Sequence, residues 1–135
     1  MGYFKNTELT IDRFRDRVGV PQVQLHAELR YAERVLGHEL STDDLLADPL
    51  LRDRCRRGIL RNFEEADEVI VSGSDQDVHH LFRRNRCLVV VGENVVTLYD
   101  TNASGDQLDY QKKRIRRGRL PGIETFEALR ARRSA

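Results

Sequence analysis

His26, Arg30, Glu33 and Arg34 carry the clearest chemical potential in this chain, in the run His26-Ala27-Glu28-Leu29-Arg30-Tyr31-Ala32-Glu33-Arg34. On a helix, residues four apart lie about one turn apart, so His26, Arg30 and Arg34 (or Glu33) share a face. Histidine exchanges a proton near neutral pH. Arginine holds an anionic oxygen and stabilises charge developing on a phosphorus centre. Together they suit acid–base chemistry at a phosphate. The plainer reading is a solvated helix face on which Glu33 balances the arginines. Nothing in the run resembles a zinc helix, because no His-x-x-x-His spacing and no thiolate pair is present. No metal and no cofactor is therefore expected.

A second group lies in residues 75–84. His79 and His80 are neighbours, and neighbours in a strand point to opposite faces, so they cannot hold one ion together. Either is a candidate base beside Arg83, or a packing residue. Asp75 and Asp77 precede them but offer too few ligands for Mg²⁺.

The third group is Lys112-Lys113-Arg114-Ile115-Arg116-Arg117-Gly118-Arg119. The net charge of +1 hides an asymmetry: residues 1–109 hold 14 Lys/Arg against 20 Asp/Glu, and residues 110–135 hold nine against two. Such a block neutralises phosphates and releases counterions. Alternatively it docks on the acidic part of its own chain. No aromatic interrupts the run, so base stacking gains no support from it.

These residues need elements to hold them. Thr10 can cap a helix carrying Ile11, Phe14 and Val18, ended by Gly19. Pro21 suits the first turn of a second helix, with Leu25, Leu29, Ala32 and Leu36 as its stripe and Gly37 as its stop. Ser41 and Asp44 resemble a capping box, and Asp48-Pro49 restarts the chain as N-cap and first helical residue. Leu51, Cys55, Ile59 and Phe63 then recur every four residues, with Gly58 inside the stripe, where it weakens the helix or breaks it.

From Glu68 the period changes. Val69-Ile70-Val71 is a short strand ended by turn residues 72–75, and residues 78–83 make a second. Residues 87–91 and 95–99 flank Gly92-Glu93-Asn94 and form a β-hairpin. Strict alternation puts Val95, Thr97 and Tyr99 on one face. Val96 and Leu98 then make the apolar face toward the helices. Residues 102–109 read as a loop, and Ile123, Phe126 and Leu129 as a short terminal helix.

The pattern His26-Ala27-x-x-Arg30-x-x-Glu33-Arg34 on a helix, then an acidic-capped helix, then Val95-Val96-Thr97-Leu98-Tyr99, resembles small uncharacterised phage- and toxin-associated relatives of the RelE/barnase-like ribonuclease fold. The likeness covers roughly residues 26–101. It implies N-terminal helices on a four-stranded antiparallel sheet, and cleavage of RNA without metal through the ribose 2′-hydroxyl. Position by position it implies His26 and Arg30 on the helix, Thr97 and Tyr99 in the last strand, and Arg83 or Arg84 on the phosphate. The Arg13 to Arg17 stretch matches the arginine pair equally well.

The expected architecture is α+β: N-terminal helices on one face of a four-stranded antiparallel sheet, with a short C-terminal helix. Residues 1–109 form the domain and 110–135 a basic extension. The expected function is a metal-independent endoribonuclease or ribonuclease-like toxin, with His26, Arg30, Arg83, Thr97 and Tyr99 as its site. Arg34, Arg84, Lys112, Lys113, Arg114, Arg116, Arg117 and Arg119 would bind nucleic acid. The alternative is a non-catalytic accessory or structural module, of phage or mobile-element type, that binds nucleic acid or protein through the basic tail. The last strand is a candidate edge for homodimerisation or partner pairing. No apolar run spans a bilayer, no signal pattern opens the chain, and two cysteines make no disulfide framework, which together suggest a cytoplasmic protein.

Overall fold

Gly92 and Glu93 close a two-residue turn, and Gly92 takes a φ of 62° that favours glycine. The turn joins strands β4 (Arg86–Val91) and β5 (Asn94–Asp100) as the expected hairpin, with Asn94 already in the strand. The computed structural model describes residues 10–71, 77–84, 86–100 and 105–117. Before the hairpin come α1 (Ile11–Val18), β1 (Gln22–Val23), α2 (Leu25–Arg34), α3 (Thr42–Leu46), α4 (Pro49–Glu65), β2 (Glu68–Val71) and β3 (Val78–Arg83). After it comes α5 (Gly105–Arg116).

The class is α+β, but the sheet has five strands in the order β1-β5-β4-β3-β2. Strands β2 to β5 form the antiparallel meander expected from the sequence. The addition is β1, which pairs parallel to β5 through Gln22–Asn94 and Val23–Val95. Pro21 does not open a helix. It precedes this two-residue strand, and α2 begins only after Gln24. Over Asn94 and Val95, β5 is therefore not an edge. Its first residues meet β1, and farther along Arg34 Nη1 donates to the Leu98 carbonyl at 2.5 Å.

Local chemistry sets the helix ends. Thr10 Oγ1 accepts from the Arg13 N–H at 3.2 Å, and Gly19 closes α1 with φ 72°. Ser41 and Asp44 complete the capping box in both directions, at 3.1 and 2.9 Å. Asp48 caps α4 with Pro49 in its first turn. Gly58 does not break α4. Tyr31 of α2 lies across it, and a Cβ there would stand 2.2 Å from the tyrosine oxygen. Glycine is the residue that seats this ring.

Both faces of the sheet are covered. Helices α1, α2 and α4 bury Phe14, Ala27, Tyr31, Ala32, Cys55, Ile59 and Phe63 against Leu81, Leu88, Val90, Val95 and Leu98. The opposite face buries Ile70, Val78, Phe82, Cys87, Val89, Val91, Val96 and Tyr99 with Ile115 of α5. Strict alternation fails in β5, where a bulge makes Val89 face Thr97 while Val90 faces Val95. Val95 and Leu98 therefore meet the helices, and Val96 goes to the opposite face with Thr97 and Tyr99. The α2 stripe is rotated too: Ala27, Glu28, Tyr31 and Ala32 are buried, while Leu25 and Leu29 are half-buried.

Helix α5 starts at Gly105, where a loop was expected over 102–109, and the 109/110 boundary falls inside it. The basic run thus continues an element packed on the sheet. Residues 118–135, with the expected terminal helix at Ile123, Phe126 and Leu129, lie outside the described residues, as do residues 72–76. Among the described residues no helix is long and apolar enough to cross a membrane.

Candidate nucleic-acid interface

The five residues expected to form one site occupy separate places. His26 and Arg30 lie half-buried on α2, where Arg30 pairs with Glu33 at 2.7 Å. Helix α2 packs on the face of β5 that carries Val95 and Leu98. Thr97 and Tyr99 lie on the other face, in register with Val89 and Cys87. Arg83 is on the helical face but at the far end of the sheet, in the row of Arg86 and Asp100, and pairs with Glu65 of α4 at 2.6 Å. His26 is two residues from Gln24, whose N–H bonds the Val95 carbonyl. Five residues along β5 separate Val95 from the Asp100 row, roughly 16 Å.

Arg34 is exposed yet tied to the fold, bonded to the Leu98 carbonyl with its guanidinium 5.1 Å from the Tyr99 ring centroid. Arg84 is exposed in the β3–β4 turn with φ 58°. The adjacent histidines part as strand geometry requires. His79 faces α1, with its ring centroid 4.5 Å from that of Phe14 and its Nε2 3.4 Å from Arg17 Nη2. His80 faces the other way, with Nδ1 3.7 Å from Cys87 Sγ. Burial, then neighbouring His79, lowers the His80 pKa to about 3, so this imidazole is neutral and no base at ordinary pH. Burial pushes the Cys87 thiol up, away from thiolate character. Asp77 is exposed, Asp75 is outside the described residues, and among those described no group of three His, Cys, Asp or Glu is placed to hold a metal.

The basic run divides by helical geometry. Ile115 is buried against the sheet, and its flanking cations turn inward. Lys112 Nζ lies 2.6 Å from Glu68 and 4.9 Å from the Phe82 ring centroid, and Arg116 reaches the same carboxylate at 3.6 Å. Docking on the chain's own acids therefore holds for these two. Lys113 and Arg117 are exposed, Arg114 is half-buried, and Tyr110 is 61% exposed with Arg114 5.9 Å from its ring centroid. Tyr110, Lys113, Arg114 and Arg117 stand at i, i+3, i+4 and i+7, which is one helix face. Arg119 lies outside the described residues.

Tyr110 escapes a search for aromatics inside the basic run, because it precedes the run. Its helical offset of three from Lys113 was the available signal. Also missed was the fully buried Glu28, held by Arg52 at 2.9 Å and Arg56 at 3.0 Å from α4. An open groove of about 440 Å³ lies between α4 and the α1–β1 turn. It is lined by Arg15, Val20, Pro21, Leu60 and Phe63 among others, and by none of the expected site residues. Arg15 is spent there on the Phe63 and Ala66 carbonyls at the end of α4 and on Asp12. No protein-family model, no curated protein and no solved structure gives a significant match to this chain.

Proposed function

We propose that this chain is a nucleic-acid-binding module that engages a single strand, RNA in the first instance, through the outer face of α5. The observation that carries it is the stripe of Tyr110, Lys113, Arg114 and Arg117, held by the docked inner side of the same helix. Cations on a fixed helix neutralise phosphates without first being ordered, and a half-exposed tyrosine beside them offers a stacking platform. Two buried free thiols suit a reducing cytoplasm.

The reading favours binding over ribonuclease-type cleavage. The residues expected to cleave RNA lie on two faces of the sheet and at both ends of it, so they offer no common surface to one phosphodiester. Anisotropy titration of the full chain with a labelled single-stranded RNA tests the proposal. Affinity should fall steeply with salt, and changing Lys113, Arg114 and Arg117 to Gln should reduce the log–log salt slope by roughly 0.7 for each phosphate no longer neutralised. Tyr110→Ala should lower affinity by about 1–3 kcal/mol and leave the slope unchanged. An unchanged slope in the triple variant overturns the assignment. Incubation with the same RNA in EDTA should give no 2′,3′-cyclic phosphate product. If product forms and His26→Ala removes it, the cleavage reading returns.

A further inference from the structure

Glu28 lies on the opposite side of the molecule from α5. Its carboxylate is fully buried between α2 and α4, and each oxygen accepts one hydrogen bond: Oε1 from Arg52 Nε at 2.9 Å, Oε2 from Arg56 Nη2 at 3.0 Å. The two arginines sit one turn apart on α4. Their side chains remain 34% and 51% exposed. Two guanidinium groups against one carboxylate leave one positive charge in excess. Each guanidinium has five N–H donors and gives one to Glu28. Among the described residues no other hydrogen bond occupies either group.

A stabilising strut needs one cation for one buried carboxylate. Here there are two, and both keep donors toward solvent. Free arginines lose side-chain rotamer entropy when a ligand fixes them. Glu28 has already fixed these. Two acids of the same stretch of chain are engaged elsewhere: Asp48 caps α4 through the Leu51 N–H, and Asp53 pairs with Arg57. Planar forks one turn apart match the oxygens of a phosphate group, which accept such donors in pairs.

We infer that Arg52 and Arg56 form a phosphate-binding clamp that Glu28 positions, separate from the α5 face and independent of it. The phosphate comes from a nucleic-acid backbone or from a small phosphorylated compound. Glu28 is a positioning residue: it touches the arginines and not the ligand.

The test uses the full chain and inorganic pyrophosphate, with the arginine Nε–Hε signals followed by ¹⁵N-correlated NMR. The signals of Arg52 and Arg56 should shift saturably, and Arg52→Lys/Arg56→Lys, which keeps the charge but not the forks, should abolish saturable binding. Glu28→Gln gives the sharper readout. It adds one net positive charge, so attraction by charge alone raises affinity. A positioned clamp loses roughly tenfold instead, the scale of one charge-assisted hydrogen bond. Signals of Arg52 and Arg56 that stay still, or move no more than those of exposed Arg54 and Arg61, overturn the clamp, as does a tighter Glu28→Gln variant. Titration with single-stranded RNA separates the sources. Shifts at Arg52 and Arg56 with RNA as well as pyrophosphate assign the site to a backbone phosphate, and shifts with pyrophosphate alone assign it to a small compound. Because α5 is read separately through Lys113 and Arg117, loss of RNA binding there leaves this result intact.

Discussion

The helical face of the sheet buries more apolar side chains than the α5 face, and the two also hold their polar groups differently. On the helical face charged side chains reach partners on other elements, although Arg30 Nε and Asn62 Oδ1 are buried there without a hydrogen bond among the described residues. Glu28 is held by Arg52 and Arg56, Arg15 bonds the last carbonyls of α4, and Arg83 pairs with Glu65. On the α5 face, His80 and Thr97 are fully buried, and His80 Nε2 and Thr97 Oγ1 make no hydrogen bond among the described residues. Three helices can bring long side chains from several directions onto that face. One helix that packs mainly beside β2 cannot do so for β4 and β5. The helical face therefore carries charges paired across its elements, and both faces bury polar atoms that make no hydrogen bond among the described residues.

The largest test of that contrast removes both partners of Glu28. Arg52→Ala/Arg56→Ala leaves a carboxylate buried and unpaired, which costs about 3–5 kcal/mol. Urea unfolding at neutral pH should show the loss, and adding Glu28→Ala should recover much of it. A double variant as stable as the parent would mean that the helical face does not depend on this pairing.

Next in size is Gly58→Ala. Helix propensity alone predicts a gain of about 1 kcal/mol. The seat of Tyr31 predicts the reverse, because the new methyl meets the ring and overpacking costs roughly 1–3 kcal/mol. We expect a net loss of up to about 2 kcal/mol by urea unfolding, recovered when Tyr31 is shortened to Leu in the same chain.

His80 gives the α5 face its own signature. Its folded pKa lies near 3, below the ordinary value of 6.5, so between these limits the unfolded chain binds a proton that the folded chain does not. Stability is fully present above about pH 6.5 and falls as pH drops toward 3. From pH 7.5 to 5.5 this one group removes about 1.4 kcal/mol. Replacing His80 with Phe should flatten the fall by that amount, measured as the difference between two urea midpoints.

The sequence made the local chemistry of these faces legible and their assembly only in part. Caps at Thr10, Ser41 and Asp48 and the hairpin turn rest on neighbours within four or five residues, the antiparallel meander on strands adjacent in sequence, and all are present as expected. The pairing of Gln22–Val23 with β5 joins residues some seventy positions apart, with no periodicity in a two-residue strand to announce it. The β5 bulge depends on the partner strand, so alternation alone puts Val96 on the wrong face. Type and spacing pick out cations, yet Arg34 went to a carbonyl and Arg83 to Glu65, because a cation's partner is set by tertiary packing. Tyr110 and Glu28 were hidden for opposite reasons. One stands outside the basic run, and the other is a charged residue on the buried side of its helix.

The smallest effect probes Thr97. Val is nearly isosteric with Thr and carries no hydroxyl, so Thr97→Val removes a buried polar atom that makes no hydrogen bond among the described residues. A buried hydroxyl satisfied by a partner contributes about 1 kcal/mol, and one left unsatisfied costs a comparable amount. We therefore expect Thr97→Val to be neutral or more stable by up to about 1 kcal/mol in urea, with the far-UV spectrum unchanged. The same exchange at a satisfied site, Thr10→Val at the α1 cap, should cost about 1 kcal/mol. The opposite signs of two identical substitutions would fix the contrast between the α5 face and the helical half. A loss at Thr97 as large as that at Thr10 would instead mean that the Thr97 hydroxyl is held by a partner in the folded chain.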